Sequence, residues 1–93
     1  MNYVEAIENL LDKELKMKGT KYDDLLSLYS LLVMTVGKNC TQKNIHDAWS
    51  LWQNKQYKDH KSLLPFDELT KEVQDLDETY RMSVVNVSKF ISV

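Results

Sequence analysis

Ninety-three residues, 43% hydrophobic and 28% charged, make one small helical domain with apolar content for a single modest core. One cysteine excludes an intramolecular disulfide, and neither it nor the two histidines fall at a structural zinc spacing. A net charge of −2 with Arg81 as the single arginine argues against a duplex-binding protein, because base readout and dense phosphate contact favour arginine; no nucleic acid partner is expected.

A core this small, with no disulfide or metal to reinforce it, predicts self-association as a homodimer or higher homo-oligomer. No apolar run approaches the roughly 20 residues that span a bilayer, and the N-terminus lacks a basic region followed by an apolar one. A cytoplasmic protein without a membrane partner is therefore expected. Charge is unevenly spread: residues 37–61 carry five lysines against Asp47 and Asp59, and residues 62–80 carry six acids against Lys71.

In chain order, Tyr3, Val4, Ile7, Leu10, Leu11 and Leu15 recur at helical spacing opposite Glu5, Glu8, Asp12 and Lys16. Residues 3–17 thus read as an amphipathic helix closed by Gly19 in a left-handed conformation. Residues 22–36 are apolar on nearly every side after Asp23 and Asp24. They predict a mostly buried helix, either central to the domain or the surface on which two copies meet, with Gly37 ending it. Tyr29 and Met34 on this helix read as core. Cys40, in the polar turn that follows, lacks an organised base to make it a nucleophile.

Thr41 predicts an N-cap for a third helix over residues 42–55, on which Ile45, Ala48, Trp49 and Trp52 form one stripe with His46 beside it. Two tryptophans one turn apart beside a lysine-rich connection are either core or a platform for a planar ligand. Residues 54–62 read as a loop, and Pro65 presets a short helical turn through Leu69. Thr70 caps a last helix over residues 71–92, whose stripe is Val73, Leu76, Tyr80, Val84, Val87 and Ile91. The expected fold is all-α: a single domain, 1–93, made of four main helices with a loop and a short helical turn before the last.

Ile45, His46, Asp47, Ala48 and Trp49, the run from Asp59 through His60, Leu63, Leu64, Pro65, Phe66, Asp67, Glu68 and Leu69, and then Glu72 to Arg81 together resemble the ryanodine-receptor repeat (RyR) domain. That family opens on a His-acidic-Ala-Trp helix, continues through a His-Pro-acidic-Leu-Val-Pro-aromatic-acidic-Glu-Leu centre and ends on an acidic helix carrying Asp and Arg. The likeness covers about half the chain, residues 42–92, behind a leading helical pair over residues 1–37, and it extends to short bacteriophage-encoded proteins. This chain departs at a shortened turn after Trp52 and at Lys61, where the family has proline.

The resemblance implies a non-enzymatic module binding a nucleotide or a nucleotide-derived immune signal, as a sensor or as a phage sponge for a host defence messenger. It implies Trp49 or Trp52 stacking a base, Lys58, Lys61 and Arg81 neutralising phosphate, and His46, His60 or Tyr80 hydrogen-bonding base or ribose. A ligand would then lie between the third helix and the start of the last, over loop 57–66. Each residue has a plain structural role as well: buried tryptophan, solvated lysine, and Arg81 paired with Asp77 four residues earlier. The alternative function is an assembly module that meets a basic partner through Asp67, Glu68, Asp75 and Asp77. His46, Asp47, Asp59 and His60 supply side chains for acid–base or metal chemistry, but such adjacent pairs do not converge on one point. No enzyme, metal or cofactor is expected.

Overall fold

The computed structural model describes residues 1–91, and among them there are helices and no strand. The first helix, α1, spans Tyr3–Leu15 and opens on a capping box in which Asn2 Oδ1 accepts from the Glu5 N–H at 2.9 Å and Glu5 Oε1 accepts from the Asn2 N–H at 3.3 Å. It closes two residues before the expected end. Lys16 takes the left-handed conformation (φ 54°, ψ 50°) assigned from sequence to Gly19, while the Asp12 carboxylate accepts the Lys18 N–H at 2.7 Å and draws the chain back. Gly19, at φ 75°, serves the next turn.

Helix α2, Asp23–Thr35, packs against α1 and against two later helices, α3 (Gln42–Gln56) and α5 (Glu78–Ser88). Its apolar run is accordingly buried at Leu25, Leu26, Tyr29 and Val33, while Leu31 on the remaining side stays half exposed. Gly37, at φ 53°, starts a 3-10 turn; a Cβ there would lie 3.6 Å from that of Ser88 in α5. Thr41 caps α3 as expected, its hydroxyl accepting from the Asn44 N–H at 3.1 Å. Ile7 and Leu11 from α1, Leu26, Tyr29 and Val33 from α2, Ile45 from α3, and Val84 and Val87 from α5 form the sealed centre. Each such side chain contributes about 1.5–3 kcal/mol on burial.

After the loop, Phe66–Glu68 forms the expected helical turn and Thr70 caps α4, Lys71–Asp75. The expected single helix over residues 71–92 is broken. Helical bonding is interrupted at Leu76 and Asp77, whose N–H groups donate three residues back to Val73 and Gln74 instead of four, and α5 then runs to Ser88; Ser92 lies outside the described residues. The cause is two anchors that fix the halves separately. Gln74 Nε2 donates to the carbonyls of Phe66 and Leu69, at 3.0 and 3.3 Å, tying α4 to the loop, whereas Val84 and Val87 hold α5 in the core. The tighter bonds between them absorb the change of direction. Leu76 therefore leaves the stripe and is 70% exposed. The molecule measures 38 × 26 × 19 Å, its shortest dimension about two helix diameters, so a hollow between helices opens readily to solvent. No helix among the described residues is long and apolar enough to cross a membrane.

Candidate functional site

A cavity of about 600 Å³ opens between the end of α1, the start of α2, one face of α3, the loop and the α4–α5 break. That volume falls within the ordinary range for small-molecule sites. Its walls are largely aromatic: Tyr22 and Tyr29 from α2 and its approach, Trp49 from α3, Tyr80 from α5. His46 and His60 complete them, and Lys16, Met17, Ser62 and Asp77 also line the space.

The helical period explains the α3 contribution, since His46 and Trp49 lie three residues apart and present one face. Their rings stack at 5.6 Å and 25°, and His60 meets Trp49 edge-on at 5.0 Å and 81°. His46, only 3% exposed, has its tautomer set by the backbone. Nε2 lies 2.7 Å from the Leu64 carbonyl, which can only accept, so Nε2 carries the proton; Nδ1 has no protein partner among the described residues and is not sealed from the cavity. His60 is arranged oppositely. Its Nδ1 accepts the Ser62 N–H at 3.0 Å, which leaves Nε2 as the donor.

Two further groups in the cavity are short of partners. Tyr29 is 1% exposed, its ring packs on Tyr80 at 5.6 Å, and its hydroxyl makes no hydrogen bond among the described residues; because it is not sealed, its open side is the cavity. Burial, with Tyr80 and Asp77 close by, pushes its phenol well above the ordinary range. Asp77 has neither a capping hydrogen bond nor an ion-pair partner among the described residues. Burial pushes its carboxyl up to about 6, against a smaller opposing pull from His46. The break that exposes Leu76 is what places Asp77 at the cavity, away from the acidic surface formed by its neighbours.

Of the residues singled out in the sequence, the structure brings His46, Trp49, His60 and Tyr80 together and leaves four elsewhere. Trp52 is buried against Tyr22, ring centroids 5.3 Å apart, and so backs the wall that Tyr22 forms. Lys58 borders a shallower groove of about 460 Å³ with Leu64 of the loop and with Asp47 and Leu51, which α3 presents away from His46 and Trp49. Lys61 is exposed and outside the lining. Arg81 also lies outside, and its partner is Glu78, not Asp77: Nε and Nη2 donate to the two carboxylate oxygens at 2.7 and 2.5 Å. Arg81 first, and then Gln42 at 3.0 Å, draw the Glu78 carboxyl down to about 2. Cys40 is buried, and burial pushes its thiol up to about 11, so it stays protonated at neutral pH.

Sequence reasoning missed Lys16, Tyr22, Tyr29 and Asp77. Tyr22 and Tyr29 sit seven residues apart, two helical turns, and that spacing was the available signal for a shared face. Nothing in the sequence marks the Asp77 break. No group of three or more His, Cys, Asp and Glu side chains among the described residues is placed to hold a metal ion.

Neither curated proteins nor solved structures give a match to this chain. A family model does match, over residues 2–89, and so spans the leading helical pair and the following block without a gap. The chain belongs to the family described as a domain of unknown function, DUF7701.

Proposed function

We propose that this domain is a non-enzymatic binding module for a nucleotide or nucleotide-derived signal whose base enters the cavity. The observation that carries the reading is the convergence of Tyr22, Tyr29, Trp49 and Tyr80 on one hollow, onto which the Tyr29 hydroxyl opens without a protein partner among the described residues. Aromatic faces stack a base at about 1–3 kcal/mol each. The Tyr29 hydroxyl opens on the cavity and is a group that a polar ligand edge can partner there. Lys16, a cation at the α1 side of the lining, is the group to meet a phosphate, the role expected from sequence for Lys58, Lys61 and Arg81. Its left-handed backbone costs about 1–3 kcal/mol, a strain found where a side chain must be held in place. Capture without turnover is what a sensor or a messenger sponge requires.

The test is thermal denaturation with a panel of nucleosides and their mono- and diphosphates. Ligand at a hundred times its Kd stabilises the folded state by about 2.7 kcal/mol, a readily measured rise in Tm. Lys16→Gln should lower affinity for the phosphorylated members and leave the nucleosides alone. A panel without any shift sinks the reading. Self-association through α1 and α2 belongs to the same proposal, supported by the half-exposed Leu31 and the exposed Tyr3. Light scattering that reports a monomer over a wide concentration range would remove it.

A further inference from the structure

We infer that the cavity selects a base presenting adjacent N–H donors, as guanine does at N1 and its 2-amino group, with the Asp77 carboxylate receiving them. This rests on the base-binding reading just proposed and adds the identity of the base. Two acceptors in the lining are fixed by the fold. Asp77 faces the space with no donor of its own among the described residues, and in the neutral His46 ring Nδ1 is an acceptor because the Leu64 carbonyl holds the proton on Nε2. His46 and Asp77 form no ion pair within the 4 Å limit among the described residues, so neither satisfies the other. A donor is fixed as well: His60, whose Nδ1 is occupied by the Ser62 N–H, offers its Nε2–H beside Trp49.

Guanine suits the Asp77 carboxylate and the His60 donor. Its N1–H and 2-amino group pair with the two oxygens of one carboxylate, and O6 and N7 accept from donors such as His60 Nε2–H and the Tyr29 hydroxyl. Adenine presents a lone pair at N1 beside its amino group, and that lone pair would face the carboxylate. A quaternary ammonium would suit the aromatic walls and the negative charge, yet it has no polar hydrogen or lone pair to offer the buried Tyr29 hydroxyl, which would stay unpartnered.

The experiment is calorimetric titration of the whole domain at pH 7.5 with guanosine, inosine, adenosine and tetramethylammonium, repeated on Asp77→Asn. Guanosine should bind tightest. Inosine keeps N1–H but lacks the 2-amino group, and should be weaker by roughly tenfold or more, the loss of one charge-assisted hydrogen bond. Adenosine should be weaker again. Asp77→Asn should lower guanosine affinity by at least roughly tenfold without lowering that of adenosine, and its melting curve confirms that it folds. Equal binding of guanosine and adenosine, or a guanosine affinity indifferent to Asp77→Asn, overturns this inference and leaves base binding standing. Failure of every nucleoside overturns this inference, and failure of their mono- and diphosphates as well overturns both. Preference for tetramethylammonium overturns both in favour of an aromatic cage for cations.

Discussion

Asp77→Asn separates the cost of the site from the stability of the fold. Burial raises the Asp77 carboxyl from 3.8 to about 6, so the folded state binds its proton more tightly than the unfolded chain does. The sign follows directly. Ionised Asp77 opposes folding above pH 6, and stability rises as pH falls through 6 toward 4, where most of the cost is gone because the folded carboxyl is protonated and the unfolded one is beginning to be. The shift corresponds to a cost of at most about 3 kcal/mol at pH 7.5, and solvent reaching one side of the group reduces that to about 1–2 kcal/mol. Asparagine carries no charge and loses no partner, because Asp77 has none among the described residues. The variant should therefore melt higher at pH 7.5 by roughly 5–12 °C for a domain of this size. Its advantage should vanish near pH 4. Glu78 does not confuse the readout: its carboxyl is drawn from 4.5 down to about 2, so its contribution begins to fall only below pH 4.5, and the two proteins share it. Thermal denaturation followed by circular dichroism from pH 4 to 8 measures the difference. Equal melting temperatures at pH 7.5, or a gap that persists unchanged to pH 4, would refute the reasoning.

Tyr29→Phe removes a cavity-facing hydroxyl that makes no hydrogen bond among the described residues, and should change the stability of the free domain by less than about 0.5 kcal/mol in urea denaturation while weakening nucleoside binding by calorimetry. Arg81→Ala deletes a half-buried surface pair with Glu78, and should cost about 1 kcal/mol and leave ligand affinity unchanged in the same titrations. Cys40 should resist a thiol reagent at pH 8 in the native state and react at the rate of free cysteine once denatured, because burial holds its thiol up near 11. Ile45→Ala, in the sealed centre, should cost about 2–5 kcal/mol by chemical denaturation.

The helices were legible because their signals are local. Apolar spacing marks α1, α2 and α3, Thr41 and Thr70 cap where a hydroxyl can reach back to a free N–H, and Gly37 takes the positive φ that ends α2. The end of α1 was not legible, since it depends on the Asp12 carboxylate reaching six residues ahead to the Lys18 N–H, an option that propensity does not rank. Half of the site was legible on similar terms. His46 and Trp49 share a helix face, and His60 is carried over Trp49 by a loop that the Leu64 carbonyl pins to His46. Lys58 and Lys61 were assigned from the resemblance and from their charge. Charge says which side chains attract phosphate, but not toward which side of the domain the loop after α3 carries them.

The α4–α5 break joins the illegible part of the fold to the illegible part of the site. On an uninterrupted helix Leu76 would have joined Val73 and Tyr80 on the apolar stripe. Asp77 would have stood a turn before Arg81, available to pair with it. The tertiary anchors at Gln74 and at Val84 and Val87 break the helix, Arg81 pairs with Glu78, and Asp77 is left in the cavity with no ion-pair partner within 4 Å among the described residues. An unpaired, partly buried carboxylate lowers stability, and a fold retains such groups where a ligand supplies the missing donor. The Gln74 contacts are thus expected to matter for binding at a distance. Gln74→Ala frees α4 from Phe66 and Leu69 and lets the helix straighten toward its sequence preference, which would turn Asp77 toward Arg81. Two readouts should then change together: the Asp77 carboxyl, followed by NMR titration, should fall from about 6 toward the usual carboxylate range, and nucleoside affinity should drop. A variant that keeps the elevated carboxyl would show that burial in the break is set by α5 alone, and that Gln74 plays no part in building the site.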